Sequence, residues 1–245
     1  MSANCSFKDV SQKTAAMAND DIVLFNDLRK ITTDSVAGVL LKKGLRNQWV
    51  RGPMPMRSDF PRTAGRAFTM RFIPVRENIE GALPRKLPVN RDAVEMMPPG
   101  CIAIADTRST RDAASFGDIV VERMVKRGVA GIVTDGAVRD RLGLLESRMP
   151  IWTSGITAPP PAAALMLADW QQPIGCGGVA VFPDDVILAD GDGVVVIPSA
   201  FLEEVVRLGL EQENLDRWQM DQVKRGVALP DLAPMPRHDS KSVKN

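Results

Sequence analysis

Apolar residues recur along this chain in short bursts whose spacing alternates between the period of a helix and that of a buried strand. From Asp21 to Gly44, DIVLFNDLRKITTDSVAGVLLKKG, they return every three or four positions, which predicts one or two amphipathic helices. Residues 45–65, rich in Pro, Gly and Arg, read as loop. AFTMRFIPV (67–75) reads as a strand closed by Pro74, and 76–98, with three prolines, as loop again. CIAIAD (101–106) suits a buried strand. GDIVVERMVKRG (117–128) reads as a helix with an acid in its first turn, Lys126 and Arg127 in its last and Gly128 at its C′ position. Ile119, Val120, Met124 and Val125 lie close to one face of it. AGIVTD (130–135) is the next buried strand.

Strand, helix, strand within 35 residues predicts a parallel pair with a right-handed crossover. PIWTSG (150–155), GGVAVF (177–182), DVILAD (185–190) and GVVVIP (193–198) are expected as further strands, the last two joined by a tight Gly191-Asp192-Gly193 hairpin. Residues 199–226 predict one long helix. The expected architecture is α/β, with a mixed sheet around the central βαβ unit as one domain over 21–229. A polar, partly mobile arm (1–20) and an irregular tail (230–245) flank it, available for contacts between copies.

Composition narrows the functional classes. A chain of 245 residues at 44% hydrophobic can bury a sizeable core, and 31 basic against 30 acidic residues argue against a broad electrostatic footprint for nucleic acid or membrane. There is no apolar run of about 18 residues to span a bilayer, and MSANCSFKDVSQKT lacks the basic and apolar regions of a secretory signal. Cys5, Cys101 and Cys176, odd in number and widely spaced, suit reduced thiols in the cytoplasm. The sole histidine, His238, lies in the polar tail. Unless that tail folds back into a site, zinc hydrolase schemes and Ser–His–Asp triads are excluded, and any metal sits among carboxylates, carbonyls and water, which suits Mg2+ or Mn2+.

Candidate chemistry concentrates in residues 117–140. In a βαβ unit the helix start and the segment after the second strand share one edge of the sheet, so Asp118 and the Arg139–Asp140 pair are expected on the same rim. The helix start offers the free N–H groups of Ile119 and Val120 to an anion, and Arg139 adds a planar fork for a carboxylate. Asp118 and Asp140 bring two hard oxygen ligands. A small 2-oxo acid held there would turn its keto oxygen towards a divalent cation, which favours the enolate.

Asp118, twenty intervening residues, then Arg139-Asp140 resembles the D-x20-R-D signature of the RraA-like family, and GVAGIVTDGAVRD is similar to its most characteristic stretch. TTDSVAGVL, AGRAFTMRF, PIGCGGVAVFPDD and DVILADGDGVVVIP agree in order, so the resemblance covers about residues 22–230. It implies a three-layer fold assembled as homotrimers or homohexamers with sites between subunits. It also implies a divalent-metal-dependent carbon–carbon lyase: a class II pyruvate aldolase acting on 4-hydroxy-2-oxo acids such as 4-hydroxy-4-methyl-2-oxoglutarate, which also decarboxylates oxaloacetate through a metal-stabilised pyruvate enolate.

By that resemblance Asp140 binds the metal directly and Asp118 through water. Arg139 with the Ile119 and Val120 amides clamps the pyruvyl half. An acid from a neighbour's C-terminal helix, Asp216 or Glu213, helps organise the catalytic water. The same family contains a non-catalytic branch that binds a ribonuclease, and some of its members lack the Asp of the R-D pair, which this chain keeps. Arg108 and Arg111, just ahead of the site, read either as contacts to the distal part of a longer substrate or as exposed loop arginines. Cys176 reads as a small core residue. Lys126 falls too late in its helix to act as a Schiff base beside Asp118.

Overall fold

The computed structural model describes residues 19–76 and 90–232, and its organising element is a strand with three partners. Strand β2 (Thr63–Pro74) pairs antiparallel with β7 (Val186–Asp190) over Thr63–Arg66. It runs parallel to β3 (Ile102–Asp106) over Ala67–Arg71, and antiparallel to β6 (Leu165–Trp170) over Met70–Pro74. Beyond β3 follow β4 (Gly131–Val138) and β5 (Ile151–Ile156), both parallel, then the short antiparallel β1 (Met54–Pro55). On the other side β7 pairs with β8 (Gly193–Ile197). Val50 N–H donates to Val194 O at 2.9 Å and Val196 N–H to Gln48 O at 2.8 Å, so the segment entering β1 also pairs with β8. The mixed sheet thereby nearly closes into a barrel.

The strand period of two sorts side chains between the inside of this sheet and its flanks. Ile102, Ile104, Val133, Trp152, Ile187, Val194 and Val196 fill the interior, and the Trp152 Nε1–H donates to Asp190 O at 2.7 Å. Ala103, Ala105 and Ile132 face outward against α3 (Asn90–Met96), α4 (Asp118–Lys126) and α5 (Arg141–Glu146), through Ala93, Val94, Val121, Met124 and Leu144. On the opposite flank Val186, Leu188, Val195 and Ile197 meet α1 (Asn19–Leu28), α2 (Thr33–Lys42) and α6 (Leu202–Lys224). Each fully buried aliphatic side chain contributes about 1.5–3 kcal/mol, so these clusters dominate the stability. The layers are helices, sheet and helices.

Several expectations need correction. Residues 177–182 do not form a strand: Cys176–Gly178 is a 3-10 turn and only Ile174 and Val181 bridge. The reason is space, because a Cβ on Gly177 would lie 2.6 Å from Arg51 O, and Gly177 (φ 54) and Gly178 (φ 75) are both left-handed. β1, β6, α3 and α5 lie where the sequence pattern predicts no element, and β2 begins four residues before the apolar run. In α4 the inward face is Val121 and Met124, whereas Ile119 is 75% exposed. The expected loop over 76–98 contains α3, and residues 77–89 lie outside the described residues, as do 1–18 and 233–245 with Cys5 and His238. Among the described residues no helix is long and apolar enough to cross a membrane.

Local signals explain the helix ends. Thr32 caps α2, accepting from Ser35 N–H at 3.4 Å, and Gly128 (φ 76) follows the last turn of α4. Glu213 on α6 accepts from Thr32 N–H at 2.8 Å and Thr32 Oγ1–H at 2.6 Å, tying the two helices together. Burial pushes the Glu213 carboxyl upward. The Thr32 and Ser35 hydrogen bonds and the charge of Arg62 outweigh that and hold it below its ordinary 4.5. A depressed carboxylate stabilises the fold above its unfolded value and loses that contribution as pH falls through the folded one. The urea midpoint is therefore expected to drop below pH 4.5, and Glu213→Gln is expected to flatten that drop. Burial pushes Cys101 up to about 12 and Cys176 well above its ordinary value, so neither thiol should be labelled by a disulfide reagent at pH 7.5 until the protein is denatured, read site by site by mass spectrometry.

Candidate functional site

All eight residues of β4 are buried, and the chain leaves it directly into Arg139 and Asp140. The β4–β5 register shifts between Thr134 and Ala137, so the end of the strand is irregular. Asp140 adopts a left-handed conformation (φ 59, ψ 46) and starts α5 as its N-cap residue. Asn and Asp tolerate that region better than most residues, because a short polar side chain can bond locally. Arg139 N–H donates to Phe116 O at 3.0 Å, which sets the residues entering α4 beside the end of β4.

The structure brings the three candidates together at this rim. Arg139 Nε lies 3.1 Å from Asp140 Oδ2, and Asp118 N–H donates to the same oxygen at 3.4 Å. The Arg139 and Asp140 side chains are 37% and 34% exposed, open to a solute yet partly screened. Ile119 N–H donates to Asp118 Oδ1 at 2.7 Å, so that amide is already engaged. Val120 N–H has no acceptor among the described residues and remains available at the positive end of α4. Among the described residues Arg139 makes no ion pair other than that with Asp140.

Two glycines that the sequence pattern did not single out make the cluster possible. A Cβ on Gly117 would sit 2.6 Å from Asp140 Oδ2 and 3.0 Å from Arg139 Nε. A Cβ on Gly143 would sit 2.8 Å from Asp118 Cβ. The start of α4 and helix α5 therefore approach this closely only because both positions lack a side chain. Gly117-Asp118 and Gly143, three residues after Asp140, were the available signals.

The other candidates are placed elsewhere. Glu213 and Asp216 lie on α6, which packs on α1 and α2; Glu213 binds Thr32, and Asp216 accepts from Gln212 Nε2 at 2.8 Å. Neither is a partner of Asp118, Arg139 or Asp140 within this chain. Arg111 is exposed, with no hydrogen bond or ion pair among the described residues. Asp135, not singled out from the sequence, is 3% exposed and bonded on every side, accepting from Thr107, Ser109 and Gly177.

Among the described residues no group of three or more His, Cys, Asp or Glu side chains is disposed to hold a metal ion. Two aspartates at one rim are nonetheless a donor set that suits Mg2+ or Mn2+, which take one or two carboxylates and keep water for the rest. They do not suit structural zinc. Gly143→Ala is expected to cost about 1–3 kcal/mol by overpacking, read as a lower urea midpoint, with Asp118 displaced from Asp140 in its crystal structure.

Comparison with known proteins shows the family and the fold. The model of the family RraA-like (Aldolase/RraA) matches residues 25–196. A relative from Halalkalibacterium halodurans, named "Putative 4-hydroxy-4-methyl-2-oxoglutarate aldolase", is 35% identical over 120 residues, 48% of this chain and 56% of that protein. Protein DlpA of Legionella pneumophila is 29% identical over 142 residues, 58% of this chain and 22% of that protein. The matches thus span a fifth to just over half the length of these curated relatives. The crystal structure of Streptomyces coelicolor RraAS2, described as an unusual member of the RNase ES inhibitor RraA protein family, superposes with a TM-score of 0.73 at 26% identity, covering 83% of this chain and 98% of that one. An uncharacterized Pseudomonas syringae protein shares the fold, with a TM-score of 0.74 at 22% identity. With the matched segment running from α1 to β8 and enclosing the whole Asp118–Asp140 cluster, the chain belongs to the RraA-like family.

Proposed function

We propose that this protein is a divalent-metal-dependent lyase that cleaves a 4-hydroxy-2-oxo acid to pyruvate and a carbonyl compound, and that also decarboxylates oxaloacetate. The observation that carries the reading is the convergence of Asp118, Arg139 and Asp140 beside the free Val120 amide. In this reading Arg139 and the Val120 N–H hold the substrate carboxylate. Ile119 N–H joins them once Asp118 turns from it. Breaking the C3–C4 bond leaves its electron pair on the pyruvyl fragment as an enolate, whose oxygen lies beside the Arg139 guanidinium. The proton lost from the C4 hydroxyl passes to a water held by Asp118, and C3 takes up a proton to give pyruvate. In oxaloacetate the fragment that leaves is CO2. Asp140, with Asp118 through water, would hold Mg2+ or Mn2+, which supplies Lewis-acid stabilisation of the negative charge.

The surroundings support a site completed by another copy of the chain. Ile119 and Leu142, 75% and 78% exposed, flank the two carboxylates, and large apolar side chains so placed favour burial under a partner surface. A homotrimer or homohexamer would cover them and bring Glu213 or Asp216 of a neighbour towards the site. Arg111 would then be free to meet the distal part of a longer substrate.

The test is a pyruvate-release screen over 4-hydroxy-2-oxo acids and oxaloacetate with Mg2+ or Mn2+. Chelator should abolish release. Asp140→Ala and Arg139→Ala should each lower kcat/KM about 100-fold or more, the scale expected when one preorganised charge partner of the transition state is removed. Turnover that survives chelator or Asp140→Ala sinks the metal reading.

A second reading, a non-catalytic regulator binding a ribonuclease, is favoured by the near-complete coverage of RraAS2. It expects no turnover across the panel and a stable complex with an RNase E-type enzyme by sedimentation.

A further inference from the structure

An irregular segment at the rim runs from Thr107 to Gly117, linking the end of β3 to the start of α4, and it is held against the end of β4 and against Arg139, the residue that follows it. Asp135 accepts from Thr107 N–H (2.7 Å), Thr107 Oγ1–H (2.8 Å), Ser109 N–H (3.2 Å) and Ser109 Oγ–H (3.5 Å). Gly136 leaves the space the strap crosses, since a Cβ there would lie 2.2 Å from Thr107 Oγ1 and 2.4 Å from Thr110 O. Ala137 O accepts from Ser115 N–H at 2.8 Å, and Arg139 N–H donates to Phe116 O at 3.0 Å. The far end of the strap is Gly117, against Asp140 and Arg139, and the next residue is Asp118.

Asp135 is the unusual member of this series. It is 3% exposed and has no ion-pair partner among the described residues, so its burial is balanced by hydrogen bonds alone. Its Oδ2 also accepts from Gly177 N–H at 3.2 Å, joining the strap to the Cys176–Gly178 turn. Arg108 (φ 59) and Ser109 (φ 57) are consecutive non-glycine residues in the left-handed region. Such a pair persists only where surrounding bonds over-determine it. Here Asp135 holds Ser109, and Asp106 Oδ1 accepts from Arg108 N–H at 2.9 Å.

We infer that Asp135 is a positioning residue, whose carboxylate registers the Thr107–Gly117 strap on β4 and so sets Asp118 opposite Arg139 and Asp140. Its consequence for turnover rests on the lyase reading above; its consequence for the strap does not. Asp135→Asn is the discriminating variant. One amide oxygen still accepts from Thr107, while the new NH2 group faces the Ser109 and Gly177 N–H donors. Thr107→Val removes a single donor at constant shape, and Gly136→Ala dislodges the same strap without touching the carboxylate.

The experiment is amide hydrogen exchange on the full chain, beside kcat and KM for whichever 2-oxo acid the wild type turns over. Asp135→Asn should speed exchange in residues 107–120 while β2, β7 and β8 keep their protection. It should lower kcat/KM about 10–100-fold, as loss of a group that orients a ligating residue does. Thr107→Val should do the same to a smaller degree, and Gly136→Ala should reproduce the pattern. Exchange at 107–120 unchanged in Asp135→Asn, or raised uniformly through the sheet with activity falling only with the folded fraction, overturns the inference. If the wild type releases no pyruvate, the lyase reading fails, and local exchange at 107–120 alone still decides the role of Asp135.

Discussion

A strand buried along its whole length cannot leave main-chain groups unpaired, and β4 meets that demand in two ways. Over Gly131–Thr134 it pairs regularly with β3 and β5 on either side. Past Thr134 the register slips, and before pairing with β5 resumes at Ala137 and Val138 the main chain is served by bonds to the strap and by the side chain of Thr153, whose Oγ1–H donates to Gly136 O at 2.9 Å. Everything at the rim descends from this interruption. Asp135 and Gly136 are turned to hold Thr107–Ser109, Arg139 is held to Phe116, and Asp140 starts the next helix. A break in regular pairing at the end of a rigid strand places reactive groups precisely where loops alone would leave them loose.

The site combines charge with exposed apolar surface. Asp118, Arg139 and Asp140 are open to solvent, and Ile119 and Leu142 stand beside them. A small acid could bind to the first group, and a protein surface could cover the second. That duality parallels the family itself, whose relatives carry names of both an aldolase and an RNase inhibitor. In the lyase reading proposed above, Asp118 and Asp140 would offer a hard cation oxygen donors.

The D-x20-R-D spacing was legible because a βαβ unit has little freedom: one helix and one buried strand, of lengths set by their periods, must return the chain to the same edge. The α/β class, the βαβ core, the α1–α2 pair, the β7–β8 hairpin and the long α6 were legible for the same reason. What escaped was whatever depends on close approach across the chain. Gly117 and Gly143 are ordinary letters until α4 and α5 are seen to touch through them. GGVAVF has the composition of a strand, yet Arg51 and Asp135 compress its start into a turn. Asp184 takes a left-handed φ of 68 at a turn, which its short polar side chain tolerates.

By itself, then, the sequence determined the order and type of most elements and the return of Asp118, Arg139 and Asp140 to one rim, because periodicity and composition act locally along the chain. Only the tertiary structure decided that the sheet nearly closes, that Asp135 is buried in a ring of donors, and that Ile119 faces solvent rather than the core. It also decided that Glu213 in its own chain is a helix anchor for Thr32. These depend on which distant segments meet, and distances between segments are fixed by packing rather than by spacing in the chain.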